Sequence, residues 1–365
     1  MEPMRVGIVG AGAISGIYLR NLTGPFSNLC TVVAVADKDM SRARAAMESY
    51  GLQSACSTDE LISREDIDLI LNLTTPESHH EIAMMAVTAG KHVYNEKPLC
   101  VTREESAELL GAAAKHQRYV GCSPDTVLGA GVQTCRKLIN DGWIGEPIAA
   151  TAFMLNHGHE SWHPDPAFYY KTGGGPLFDM GPYYLSTMVQ LMGPIRRISG
   201  AAKKSFETRT ITSNEKYGEE IKVDVPTHLA GTLEFTGGAV ASLVTSFDVW
   251  ASTLPPIEIY GSAGSLRVPD PNTFGGPVYV KRADVTEWSE IPLSHKYVEN
   301  SRGLGVADVA CARQQGREHR ANGHIAAHIL EVMHGLHDAA ASGRYYEPTT
   351  SCEQPEPMPM NGFAG

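Results

Sequence analysis

Two short segments of this chain carry residue types whose spacing suits chemistry. The first is Gly10-Ala11-Gly12-Ala13-Ile14-Ser15, with Asp37 downstream. Glycines let a chain turn tightly and bring its backbone close to a pyrophosphate, and a helix that follows points the positive end of its dipole at the anion. Ser15 stands where G-x-G-x-x-G has its third glycine, a place where a small residue still permits close packing, and Gly16 follows directly. Asp37 lies at the distance expected of an acid that accepts hydrogen bonds from both ribose hydroxyls. Strand, loop, helix, strand and acid occur in that order, so the pattern reads as a dinucleotide site with Gly10, Gly12, Ala13, Ile14 and Asp37 as contacts. An empty glycine turn is the bland alternative. Asp37 repels a 2′-phosphate and favours NAD, whereas Lys38 and Arg42 lie close enough to blunt that repulsion and keep NADP open.

The second segment, Asn95-Glu96-Lys97-Pro98, falls at the carboxyl end of a predicted strand, where open α/β sheets bind ligands. Pro98 restricts Lys97 to an extended backbone and so can fix the direction of its side chain. Beside a positively charged nicotinamide ring an ammonium is disfavoured. The pKa of Lys97 is therefore expected to fall toward the range useful to a general base that takes a hydroxyl proton. The alternative is a solvated lysine at a turn.

These segments need a frame. Apolar runs at Val6 to Val9, Val32 to Ala36, Leu69 to Leu73, His92 to Tyr94 and Tyr119 to Cys122 alternate with helical stretches at Ser15 to Leu22, Ser41 to Tyr50, about His79 to Ala89 and about Arg103 to Lys115. Strands apolar throughout and separated by helices imply an α/β, Rossmann-type, doubly wound parallel sheet over residues 1–123. Beyond Pro124 come a helix from about Val132 to Asp141 and alternating runs such as Ile148 to Leu155, His228 to Phe235, Ala239 to Phe247 and Ile257 to Tyr260. They predict an α+β substrate domain with a large, mainly antiparallel open sheet over 124–346, ending in a helix from about His324 to Ser342. Residues 347–365 form a Pro-rich tail, read as an arm or as disordered. A large sheet with one uncovered face predicts a homodimer or homotetramer.

Composition narrows the partners. A formal net charge of −11 disfavours nucleic acid. No run is long and apolar enough to span a bilayer, and a strand pattern beginning at Arg5 leaves no room for a secretory signal. Seven cysteines without a C-x-x-C pair suit reduced thiols and a cytoplasmic location.

Gly10 to Ser15, Asp37, Thr74-Thr75-Pro76-Glu77-Ser78-His79-His80 and Glu96-Lys97-Pro98 together resemble the Gfo/Idh/MocA family of NAD(P)-dependent oxidoreductases. The likeness continues in Gly173-Gly174-Gly175-Pro176-Leu177-Phe178-Asp179-Met180-Gly181-Pro182-Tyr183, similar to the family's glycines followed by D-x-G-x-H, and thins after about Lys203. The resemblance implies that Lys97 transfers a proton or orients substrate, that Asp179 binds or polarises it, and that Glu96 lies beside the nicotinamide. It also implies that Thr74, Thr75 and Pro76 run along the cofactor, with His79 opening the next helix. Tyr183 stands where inositol-type members carry histidine; a phenol, with its ordinary pKa near ~10, would act as donor or acid. Asp179 and Tyr183 are one helical turn apart, so both can face one cleft. Asp179 as a mere helix cap is the competing reading.

Between these motifs lies a segment rich in aromatic and histidine residues, with His157, Trp162, His163 and Tyr169 as candidate substrate contacts. Aromatic faces pack on C–H surfaces while polar edges bond hydroxyls, which suits a sugar or polyol. The spacing of His157, His159 and His163 matches no zinc framework, so no metal is expected. His324 and His328, with His334 and His337, read as a polar helix face. Met84, Met85, Met188 and Met192 read as core filler. The expected activity is hydride transfer between a nicotinamide and a hydroxyl-bearing carbon of a sugar, glycoside or polyol, with Lys97, Asp179 and Tyr183 as catalytic residues. The alternatives are a redox-neutral glycoside-processing enzyme that retains NAD, and a non-catalytic dinucleotide sensor.

Overall fold

In the computed structural model, which describes residues 2–213 and 216–363, β1 (Met4–Val9) lies near the centre of a six-stranded, wholly parallel sheet. Its other strands are β2 (Cys30–Ala36), β3 (Ser54–Cys56), β4 (Leu69–Asn72), β5 (His92–Asn95) and β6 (Val120–Cys122), in the spatial order β3-β2-β1-β4-β5-β6. The order reverses between β1 and β4, and Val9 pairs with Asn72 at the carboxyl ends of both. That switch point is where an open parallel sheet leaves a crevice for a ligand. The covering helices are α1 (Ser15–Thr23), α2 (Met40–Tyr50), α3 (Thr58–Ser63), α4 (Pro76–Thr88) and α5 (Arg103–His116). Four of these starts follow from sequence: Asp39 caps α2, Ser57 and Thr102 form capping boxes with Glu60 and Glu105, and Pro76 occupies the first turn of α4.

Helix α6 (Ala130–Asn140) leads into β7 (Pro147–Leu155), which is central to a second sheet, and α7 (Gly175–Met192) follows. The remaining strands are β8 (Ile195–Lys203), the short pair β9 (Thr208–Thr210) and β10 (Glu220–Lys222), then β11 (His228–Phe235), β12 (Val240–Ser246), β13 (Ile257–Gly261), β14 (Gly264–Val268), β15 (Val278–Arg282) and β16 (Ser289–Ile291). The eight-stranded sheet runs β16-β15-β14-β13-β7-β12-β11-β8; it is antiparallel except where β12 lies parallel to β7. Apolar side chains such as Ala150, Ala152 and Met154 alternate onto the face packed by α7, while Thr151 and Phe153 point the other way.

Three features go beyond the sequence pattern. Helix α8 (Leu304–Gln315), absent from the sequence reading, packs back on β2 and β6, and Ala321 O accepts from Cys122 N, so residues 304–322 serve the N-terminal layer. Second, α9 (Gly323–Ser342) does not present all its histidines as one polar face: His324 is exposed, but His328 is fully buried and accepts from Ile195 N at 3.0 Å. Third, of the two readings of the Pro-rich tail the arm holds over residues 347–363: Arg320 Nε donates to Glu356 O at 2.9 Å, Met358 N donates to Gln133 Oε1 at 2.8 Å, and the Met358 side chain is buried. No helix among the described residues is long and apolar enough to cross a membrane.

Candidate active site

The phosphate loop leaves β1 at Gly10, whose φ of +102° is left-handed and whose missing side chain would meet the Leu73 carbonyl carbon at 2.7 Å. Ala11 N donates to Asp37 Oδ2 at 2.7 Å, and Asp39 N donates to Asp37 Oδ1 at 2.8 Å, so the acid is aimed and braced at the tip of β2. A side chain at Gly12 would meet nothing in the protein within 4 Å. Ala13 and Ile14 are exposed at the start of α1, which has no side-chain cap; Ser15 N donates to Gly12 O at 3.1 Å, and it is the N–H groups around it that an anion would meet. These features fit a dinucleotide. Lys38 is exposed, and Arg42 lies 3.6 Å from Asp39.

Across the switch point, Asn72 Oδ1 accepts from the Thr74 hydroxyl at 2.7 Å and holds the turn through Thr74, Thr75 and Pro76 at the crevice edge. His79 is buried behind this turn, its ring nitrogens facing Pro98 O at 2.6 Å and Thr74 O at 3.1 Å. Its ring therefore braces two loops; burial lowers its pKa despite both carbonyls. Glu96 is also buried: Tyr18 donates to one of its oxygens at 2.6 Å, and Lys97 N donates to the other at 2.8 Å. The Lys97–Pro98 peptide is cis.

Lys97 Nζ reaches α7, where it donates to Asp179 Oδ1 at 3.0 Å and to Asp179 O at 2.6 Å. The glycines before α7 make this meeting possible, since a side chain at Gly174 would strike the carbonyl oxygens of Tyr169 and Phe168 at 2.6 and 2.7 Å. Asp179 lies beyond the first turn of a helix whose N-cap is Gly174, which removes the capping alternative. Tyr183, one turn on, places its ring 5.4 Å from Lys97 Nζ, and its hydroxyl accepts from Arg302 Nη2 at 3.4 Å.

The charge state of Lys97 departs from expectation. Burial lowers its pKa, but the Asp179 carboxylate, then Tyr183 and Glu96, outweigh that and raise it. The predicted fall depended on the cofactor's positive charge; in the protein by itself the neighbouring acids decide. Asp179 is correspondingly depressed: burial pushes it up, yet Lys97 and His159 bring it to about 2. Burial raises Tyr183, against the opposing effects of Lys97 and Arg302.

His159, which the sequence offered only as one of three histidines without metal spacing, is buried with Nε2 3.0 Å from Asp179 Oδ2. Trp162 and Tyr169 touch its ring, with centroids at 5.1 and 4.0 Å, so they border the site, and His163 lies 5.4 Å from Tyr169. His157 stands apart, stacked at 3.4 Å on the exposed Trp250. Arg302 and His159 were the residues sequence reasoning missed. Neither belongs to a local motif. Among the described residues no group of three or more His, Cys, Asp or Glu is placed to hold a metal ion.

Residues 4–123 match the model of the oxidoreductase family with an NAD-binding Rossmann fold, and residues 132–267 match that of the GFO/IDH/MocA C-terminal domain. A D-glucoside 3-dehydrogenase of Escherichia coli is 28% identical over 252 residues, 67% of this chain and 71% of that protein. An inositol 2-dehydrogenase of Klebsiella pneumoniae is 34% identical over 161 residues, 43% of this chain and 46% of its own length, so that match spans about half of the relative. Among solved structures, a levoglucosan dehydrogenase in complex with NADH and L-sorbose superposes with a TM-score of 0.80 at 20% identity, covering 94% of this chain and 98% of that one; at this identity the likeness speaks to fold alone.

Proposed function

This chain belongs to the Gfo/Idh/MocA family of oxidoreductases, with its NAD-binding Rossmann domain at the N-terminus, and from that premise we propose that it reversibly oxidises a secondary hydroxyl of a sugar, glycoside or inositol-like polyol. The observation that carries the reading is the meeting of Lys97 and Asp179, from different layers of the fold, at the carboxyl edge of the parallel sheet. The similarity to a glucoside dehydrogenase and an inositol dehydrogenase supports a cyclic secondary alcohol as substrate.

Bound NAD would supply the hydride acceptor and, while oxidised, a positive charge; Gly10, Gly12, Ala13, Ile14, Asp37, Thr74, Thr75, Pro76 and Glu96 are the residues proposed to hold it. Asp37 supports NAD over NADP, because its oxygens already face two backbone donors and present negative charge where a 2′-phosphate would sit. In its neutral form, favoured when a positively charged nicotinamide lies beside it, Lys97 would take the hydroxyl proton as the C–H bond breaks and keep it as an ammonium paired with Asp179. Tyr183 donates to a substrate oxygen, with Arg302 behind it. Trp162, His163 and Tyr169 border the sugar face of the cleft; His157 shapes its outer wall through Trp250. The open sheet face, with no helix upon it among the described residues, is proposed to pair with a second copy as dimer or tetramer, in the cytoplasm.

The test is a screen of glucosides, free sugars and inositols with NAD and with NADP, following reduced-nicotinamide absorbance. Stoichiometric reduction supports the reading. A product formed without net reduction would instead indicate a retained cofactor, and no turnover by any cyclic polyol would overturn it.

A further inference from the structure

Asp179 uses both carboxylate oxygens: Oδ1 meets Lys97 at 3.0 Å and Oδ2 meets His159 Nε2 at 3.0 Å. The residue one helical turn after Asp179 is Tyr183, whose hydroxyl is engaged by Arg302. The imidazole comes from a different element, the loop that follows β7, and that loop is built to hold it. Arg209 is buried and grips both flanks of His159: it pairs with the Glu160 carboxylate, donates to His157 O at 2.7 Å and to Phe247 O at 3.0 Å, and pairs with Asp248 at 2.9 Å. Thr212 N and Ser213 N donate to Glu160 O at 2.9 and 2.8 Å. The ring is then wedged by Tyr169 and, edge to face, by Phe247 at 4.8 Å.

A side chain so immobilised, with one nitrogen on the carboxylate that holds the lysine, has the geometry of an orienting group. We infer that His159 is a positioning residue for proton transfer by Lys97, acting through Asp179. As a neutral ring it donates Nε2–H to Oδ2, which fixes the carboxylate plane and leaves the full negative charge to favour a proton on Lys97. As an imidazolium it shares that charge, and Lys97 becomes a weaker proton acceptor. The charged and titratable groups around the ring are Asp179 on α7, Lys97 after β5, Tyr169 before α7, His163 in its own loop, and the Glu160–Arg209–Asp248 set behind it.

The inference rests on the dehydrogenase reading, so its test has one arm that needs neither substrate nor cofactor. The His159 ring nitrogen resonances, identified by their loss in His159→Asn, are compared by NMR between the wild-type chain and Asp179→Asn. Loss of the charged acceptor should move the His159 Nε2 resonance, because a hydrogen bond to an ionised group is shorter and stronger than one to a neutral amide; an unchanged resonance overturns the coupling. In the kinetic arm, once a substrate is found, His159→Ala should lower kcat at least about tenfold with the KM for NAD little changed, a loss within the range of general acid–base effects. His159→Asn, which keeps an N–H donor, should recover part of that loss. A His159→Ala enzyme with wild-type kcat, or a His159→Asn enzyme no faster than His159→Ala, overturns the role. If the NMR coupling holds and no substrate is oxidised, it is the dehydrogenase reading that fails.

Discussion

Lys97 Nζ and Asp179 Oδ1 stand 3.0 Å apart although the two residues lie 82 positions apart in the chain. Both side chains are largely shielded, so each charge is sustained chiefly by the other. A buried ion of either sign is costly when its partner is removed. The catalytic and electrostatic consequences of this pair can therefore be separated by mutation.

Lys97→Ala removes the proposed proton acceptor without touching the phosphate loop. We expect kcat to fall by roughly 10²- to 10⁴-fold, the usual range for a lost general acid or base. NADH affinity, measured by calorimetry, should remain within a few-fold of wild type. Retained turnover would remove Lys97 from the reaction.

Gly12→Ala probes what the loop is shaped for. Since a Cβ there meets no protein atom within 4 Å, the folded chain should tolerate it and the thermal midpoint should barely move. A pyrophosphate drawn close to the backbone would meet that methyl group, so NAD affinity should drop about tenfold or more. Equal affinities by calorimetry would place the cofactor elsewhere.

Acid stability carries the signature of Asp179, whose carboxyl is held at about 2 as Lys97 and His159 overcome the effect of burial. A depressed folded-state pKa stabilises the protein fully above the unfolded carboxyl value of about 3.9, and that contribution is lost as pH falls through the folded value. Urea midpoints of the wild type should therefore decline between about pH 4 and pH 2, and Asp179→Asn should decline less across that interval while being less stable at neutral pH. Parallel curves would contradict the assignment.

Arg209→Met leaves Glu160 and Asp248 without the cation between them, both being buried with it. Breaking such a set by removing one member typically costs about 3–5 kcal/mol. Chemical denaturation should show a loss of that order. If the set were instead loosely solvated, the loss would stay below about 1 kcal/mol.

The parts legible in the sequence were those whose meaning is local. Gly10, Gly12 and Asp37 belong to one strand-loop-helix-strand unit, so backbone geometry alone ties them to one crevice, and the parallel sheet follows from continuous apolar runs between helices. Other residues misled because burial is decided by distant neighbours. His328 sits at a helical spacing that looks polar, but it lies beneath β8 and the tail, where it accepts from Ile195 N. The tail looked free because its composition cannot announce that Arg320 and Gln133 wait to receive its backbone.

By itself, then, the order of residues determined the doubly wound domain, the phosphate loop with its acid, and the presence of a lysine and a carboxylate able to do acid–base chemistry. Only the tertiary structure decided which imidazole faces Asp179, what stands behind Tyr183, and in which direction the proton affinity of Lys97 moves. The physical reason is the short reach of these effects: hydrogen bonds and desolvation act over a few ångströms, and within that distance of Asp179 lie side chains contributed by separate stretches of the chain.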